Sequence, residues 1–193
     1  MRKSLMIRSA HVLLAASSAL VFIACGGKPT YSAPVSLNLN AKSGDVRSGS
    51  LSRDEAVTAE PGNPYGAFVN DAWQKLGNKS PSRIEVHSIT LALGGQSTGV
   101  STLDQVFTGE VDVLFVMNDT GNSFNAGHAV NPTGAGPVNL SVDFDPSKVI
   151  AMDFGNLLGG NFNVVIRGSA AAGFSSRNAT ANLQTVLTFK ADE

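Results

Sequence analysis

The feature that most limits what this chain can become is a two-residue alternation of apolar and polar side chains that returns along its length. In VSLNLN, Val35–Asn40, the residues Val35, Leu37 and Leu39 fall on one side and Ser36, Asn38 and Asn40 on the other. VNLSVDF, Val138–Phe144, repeats the pattern with Val138, Leu140, Val142 and Phe144, and LQTVLTF, Leu183–Phe189, with Leu183, Leu187 and Phe189. Successive side chains of a strand point to opposite faces, so the pattern is that of strands with one buried face. EVDVLFVM, Glu110–Met117, and FNVVIRG, Phe162–Gly168, are more continuously apolar and read as central strands. RIEVHSITLAL, Arg83–Leu93, changes phase, with Ile84 and Val86 on one parity and Ile89, Leu91 and Leu93 on the other. A β-bulge near His87–Ser88 restores the register.

One helix is written into NPYGAFVNDAWQKLG: Asn63 as N-cap, Pro64 at the first helical position and Gly77 past the end. Its apolar stripe is Tyr65, Phe68, Val69, Ala72 and Leu76, with Trp73 joining them as a core residue. The helix is expected to cap an open end or edge of the strands. The preceding KSGDVRSGSLSRDEAVTAEPG is polar and turn-rich, and Ser52 and Glu55 have capping-box spacing for a brief helical turn. KVIAMDF, Lys148–Phe154, supplies a seventh strand unless Asp145–Pro146 opens a helix there. Together these predict an all-β fold: an antiparallel β-sandwich, immunoglobulin-like or similar, of about seven strands with one short amphipathic helix.

The N-terminus follows a different rule. Arg2, Lys3 and Arg8 precede VLLAASSALVFIA, Val12–Ala24, which is uncharged and shorter than the roughly 20 apolar residues that span a bilayer. A basic start, a short apolar run and small residues at its end make a secretory signal. The run closes on FIAC, with Ala24 before Cys25, the one cysteine of the chain. This resembles the lipobox of bacterial lipoproteins, with Phe22 where that family usually has leucine. The resemblance implies that residues 1–24 are a lipoprotein signal peptide cut before Cys25. The Cys25 thiol then takes a diacylglycerol, and its new amino group a further fatty acid such as palmitate. Several acyl chains hold a protein firmly where one holds it marginally. In enteric lipoproteins an aspartate after the cysteine marks inner-membrane retention. Gly26 stands there instead, which makes the outer membrane, at its periplasmic face or the cell surface, the expected location. Residues 25–34 are expected to be the lipidated cysteine with a short tether, and 35–193 the sandwich domain.

Charge narrows the partners. Removing residues 1–24 takes three basic residues and no acidic ones, so 14 Lys and Arg against 15 Asp and Glu become 11 against 15. That balance argues against nucleic acid, which needs a basic face, and gives no pull toward anionic lipid. The expected partners are the bilayer itself, through Cys25, and an envelope protein or glycan. No cofactor is expected.

Candidate chemistry is sparse. GQSTG, Gly95–Gly99, fits the G-x-S-x-G elbow of serine hydrolases, which would use Ser97 as nucleophile, His128 as base and Asp104, Asp112 or Asp119 to orient it. That elbow belongs to a parallel sheet, whereas the alternation here is antiparallel, so a Gly-rich hairpin turn is the preferred reading. His87 and His128 lack the spacing of zinc ligands. Asp119, Asp143 and Asp145 are oxygen donors that could hold calcium if their loops met, but as turn and cap residues they need no metal. Asn118–Pro137 reads as a long Gly- and Asn-rich loop offering Phe124 and His128 as contact residues. The functional expectation is a membrane-anchored, non-enzymatic binding or structural module of the envelope. The alternatives are a carrier of an apolar ligand between the sheets and a hydrolase.

Overall fold

The computed structural model describes residues 28–193; the expected signal peptide, residues 1–24, and Cys25 lie outside the described residues. Eight strands and two α-helices follow in the order β1 (Thr30–Lys42), β2 (Ser50–Val57), α1 (Pro64–Lys75), β3 (Arg83–Leu93), β4 (Phe107–Met117), β5 (Ser123–Val130), β6 (Val138–Val142), α2 (Ala151–Gly159), β7 (Phe162–Ala170) and β8 (Thr180–Asp192). All pairings are antiparallel, and one sheet runs β1-β8-β3-β6-β5-β4-β7-β2. Its two edge strands, β1 and β2, come to lie beside each other without pairing, so the sheet curls into a nearly closed barrel.

The antiparallel all-β class is therefore what the chain adopts. The finer expectation differs in its counts, with eight strands for seven and two helices for one. Hydrogen bonding also runs through a single sheet rather than two separate ones. The link between its two halves is short: β6 pairs with β3 only over Leu140–Val138 and with β5 only over Ser141–Val142.

All six strands read from the alternation are present. The phase change in β3 is a register shift between Val86 and Ser88, with His87 left out of the pairing. Two strands lie where no strand was expected. β2 occupies the polar segment in which Ser52 and Glu55 suggested a helical turn. Only Leu51 and Val57 on it are buried apolar residues. Eight paired positions with β7 make it a strand despite that composition. β5 occupies the middle of the expected 118–137 loop. Its alternation is hidden by a bulge at Ala126, which falls between the partners of Val113 and Leu114, and by Gly127, where a Cβ would lie 2.4 Å from the Ser141 carbonyl oxygen. Residues 148–154 take the helical alternative: a 3-10 turn at Pro146–Lys148 leads into α2. The tether is also shorter than expected, because Thr30–Pro34 already belong to β1. Pro34 is tolerated in a strand because β1 is an edge.

The barrel has two unlike ends. The first described residues, the C-terminus, α1, the 118–122 turn and α2 all gather at one, the helical end. Residues 43–49, 94–106, 131–137 and 171–179 gather at the other, the loop end. Helix α1 forms as read: Asn63 accepts from the Tyr65 N–H at 2.9 Å, and Gly77 has φ +74°. It packs on β1 and buries Tyr65, Phe68, Ala72 and Leu76. Trp73 is the correction, at 43% exposed: it sits on the flank of the stripe, beyond the reach of the sheet.

An aromatic cluster fills the barrel near its helical end. Phe115 on β4 stacks on Phe189 of β8 at 5.8 Å and meets Phe162 and Phe144 edge-on, both at 5.3 Å. Tyr65 of α1 joins Phe162 and Phe189 edge-on at 5.1 Å and donates its hydroxyl to the Leu157 carbonyl of α2. Opposite walls thus touch through rings, in the offset and edge geometries that rings prefer.

Candidate functional site

The expected site residues are scattered over three places. GQSTG lies at the loop end, between β3 and β4. Pairing of β3 with β8 continues past Leu93: the Gly94 N–H donates to Asn182 O, and Thr98 bridges Thr180 in both directions. Between those rungs the chain bulges outward, with Ser97 N–H donating to Gly94 O. The Asn182 N–H would be left without a carbonyl, and the Ser97 hydroxyl accepts it at 3.0 Å while donating to Gly94 O at 2.8 Å. Ser97 therefore replaces a missing rung of the sheet. Its partners are backbone groups of its own turn and of β8, and His128 is not among them. Asp104, one of the possible orienters, is used locally. Its own N–H, the Gly134 N–H and the Thr102 hydroxyl hold its carboxyl below the usual range.

His128 lies on β5, with Asp112 of β4 and Ser141 of β6 opposite it in register. Its Nδ1 is 2.6 Å from Asp143 Oδ2. That hydrogen bond, the Asp143 charge and, more weakly, the charges of Glu110 and Asp112 raise the imidazole pKa above its ordinary value. Asp112 in turn faces Arg167 of β7 at 3.6 Å. The result is a ladder of alternating charge across the outer face of β7, β4 and β5, ending just past β6: Arg167, Asp112, His128, Asp143. It is half-exposed and held by cross-strand spacing. The single-sequence reading proposed His128 and Asp143 for separate roles. It missed their pairing because that depends on β5 being a strand.

Phe124 is not an exposed contact. It packs against the core, edge-on to Phe144 at 6.4 Å. The three aspartates weighed for calcium have separate employments. Asp143 pairs with His128. Asp145 caps the 3-10 turn, accepting from Ser147 Oγ at 2.6 Å and Ser147 N at 3.0 Å, and these bonds lower its pKa. Asp119 is in the β4–β5 turn. Among the described residues, no group of three or more His, Cys, Asp or Glu is arranged to hold a metal ion.

The helical end carries features the sequence reading did not single out. Asp153, in the first turn of α2, is fully buried. It accepts from Thr120 Oγ1 at 2.5 Å and Asn122 Nδ2 at 2.8 Å, which fastens α2 to the β4–β5 turn. Asn118 continues the fastening, pairing with Asn161 through side chain and backbone. Gly160 ends α2 at φ +61°, where a Cβ would lie 2.3 Å from the Ala59 nitrogen. Locked in this way, α2 turns Ile150 and Met152 outward, 56% and 64% exposed. Tyr31 at the start of β1 donates to Asp71 of α1 at 3.1 Å. Burial, and then the Asp71 charge, push its hydroxyl up to about 12. A groove of about 410 Å³ lies between the first half of α1 and the segment before it, lined by Ala59, Pro61, Gly62, Gly66, Ala67 and Asn70.

Among the described residues, no helix is long and apolar enough to cross a membrane. No family model matches the chain, and none of the curated proteins matches it.

Proposed function

We propose that this chain is a bacterial lipoprotein, acylated at Cys25 and held at the cell envelope, with a barrel that acts as a non-enzymatic binding or structural module. The observation that carries the reading is the juxtaposition of FIAC with the first strand. Cys25 is followed within five residues by Thr30, whose strand is paired along its whole length with β8. A rigid domain begins almost at the anchor point. The absence of aspartate after Cys25 favours the outer membrane.

Two features weigh against the alternatives. A carrier between facing sheets needs an apolar cavity of roughly 300 Å³ or more, and the corresponding space near the helical end is occupied by the Phe115, Phe162, Phe189 and Tyr65 rings. A hydrolase using Ser97 needs a base within hydrogen-bond reach, and Ser97 is committed to Asn182 and Gly94. The contact between opposite walls at Phe115 and Phe189 supports describing the barrel as flattened, which is the form in which a sandwich-like reading persists.

Two measurements test the proposal. Labelled palmitate should enter wild type and be absent from Cys25→Ser, and that variant should leave the membrane fraction. An unlabelled wild type would end the lipoprotein reading. Crosslinking in intact cells should then capture an envelope protein or glycan. Turnover of an ester substrate that is lost in Ser97→Ala would replace the binding module with an enzyme.

A further inference from the structure

From the geometry of the helical end we infer a second membrane contact: Ile150 and Met152, at the start of α2, rest in the surface of the bilayer that holds the anchor. The inference rests on acylation of Cys25. It goes further by fixing which part of the barrel meets lipid and how.

Chain length sets the first limit. Five residues, Cys25–Pro29, separate the acyl chains from β1, and fully extended they reach at most about 17 Å. β1 itself has 13 residues and is about 40 Å long at strand rise. The tether is thus too short to hold the domain by its loop end, and the helical end is the one that sits beside the anchor. The start of β1 is tied there, because Thr30 pairs with Asp192 and Asp192 with Arg83. Neighbouring strands are about 4.8 Å apart, so Arg83 is about 10 Å from Thr30.

Placement of the apolar residues sets the second. Arg83 and Ile84 form one wall of a groove of about 210 Å³ whose other wall is Pro146, Val149 and Ala151. Ile150 and Met152 flank Ala151 and are two of the most exposed large apolar side chains among the described residues. Nothing among the described residues covers them. The buried Asp153, held by Thr120 and Asn122, prevents α2 from rotating to hide them. An exposed apolar pair on a braced helix start, beside the point where a lipid-bearing chain joins the domain, is matched in chemistry by acyl chains and lipid glycerol.

Charge separates this contact from an electrostatic one. Several cations at this end have acidic partners, Lys148 with Asp145 at 3.7 Å, Arg83 with Glu85 at 2.5 Å, and Lys79 with Glu193, whereas Lys28 and Lys75 have no ion-pair partner among the described residues. The contact inferred is that of the apolar pair Ile150 and Met152, and neutral phosphatidylcholine isolates it from any attraction of those cations to anionic lipid.

The test uses full-length protein, matured and acylated in cells and reconstituted into phosphatidylcholine vesicles. With Cys25 blocked by lipid, Met152→Cys takes a polarity-sensitive dye at one position, and Ser175→Cys takes it at the loop end. The expected result is a blue-shifted dye at 152 that is quenched several-fold by spin-labelled lipid, with the dye at 175 unchanged. Adding Ile150→Asp should reduce the quenching at 152. An acylated, vesicle-bound protein whose dye at 152 is unquenched overturns the orientation while leaving the anchor intact. A blue shift without lipid quenching means that protein, including a second copy of this chain, covers the patch, and this also overturns it. A mature chain with no acyl mass on Cys25 removes the anchor reading and the orientation with it.

Discussion

The two ends of this barrel are closed by different means. The helical end is sealed by side chains. Tyr65 and Phe68 of α1 enter the ring cluster around Phe115 and Phe189, and Asp153 locks α2 to a turn. The loop end buries Leu103, Val106 and Phe174, and its loops are tied together by backbone hydrogen bonds. Leu103 N–H donates to Gly134 O, Leu93 N–H to Ala135 O and Ala171 N–H to Val106 O, all between 2.7 and 2.9 Å. Two serines complete that lattice. Ser97 satisfies Asn182 N–H, and the buried Ser43 accepts from Ala179 N–H at 2.8 Å while donating to Phe174 O at 2.7 Å. An end built of side chains can present new side chains outward, as Ile150 and Met152 are presented. An end whose loops are tied by backbone bonds is fixed in shape.

The contrast predicts unequal responses to truncation. Phe115→Ala removes the ring that touches Phe144, Phe162 and Phe189 and should cost about 3–5 kcal/mol in urea unfolding, with loss of near-ultraviolet dichroism from the cluster. A cost below about 1 kcal/mol would mean that the helical end does not depend on its rings. At the loop end, Ser43→Ala leaves the Ala179 N–H buried without its hydroxyl acceptor and should cost about 1–3 kcal/mol. Ser97→Ala should cost less, about 1 kcal/mol, because its turn is only partly buried, and amide exchange at Asn182 should accelerate. Protection at Asn182 unchanged by the substitution would remove Ser97 from the lattice.

A smaller effect lies midway between the ends. Thr185 faces the interior, paired with Leu37 and Leu91, and its buried hydroxyl has no hydrogen-bond partner among the described residues. Thr185→Val should stabilise the barrel by about 1 kcal/mol, since burying an unpaired hydroxyl is unfavourable. The smallest is the outer ladder. His128 has a raised pKa, so its pairing with Asp143 stabilises fully below the ordinary histidine value of about 6.5 and is lost as pH rises through the folded-state pKa. In an NMR titration, Asp143→Asn should bring the His128 midpoint back toward that ordinary value. A midpoint that stays put would mean the shift has another source.

Legibility followed the same division. β1, β3, β4, β6, β7 and β8, the bulge at His87 and the capping of α1 were all readable, because alternation and cap chemistry are local. β2 was not, because its polar Arg53 and Glu55 share a face with Leu51 at the unpaired seam, and its pairing with β7 is nonlocal. β5 was not, because Gly127 is demanded by a neighbouring strand rather than by its own segment. With β5 unread, Phe124 looked like a loop contact, and the His128–Asp143 pair was invisible. Trp73 failed for a related reason: helical periodicity places a residue near a stripe, but the width of the groove beneath decides whether it is covered.

The sequence by itself determined the antiparallel all-β class, the bulge, the α1 cap and the lipobox resemblance at Cys25, since each depends on spacing within a few residues. Tertiary structure alone decided that the strands curl into one nearly closed sheet, that Ser97 completes a rung, and that Ile150 and Met152 stand exposed at the end where the chain joins the barrel. Those outcomes turn on pairing between segments far apart in the chain, which no local pattern encodes.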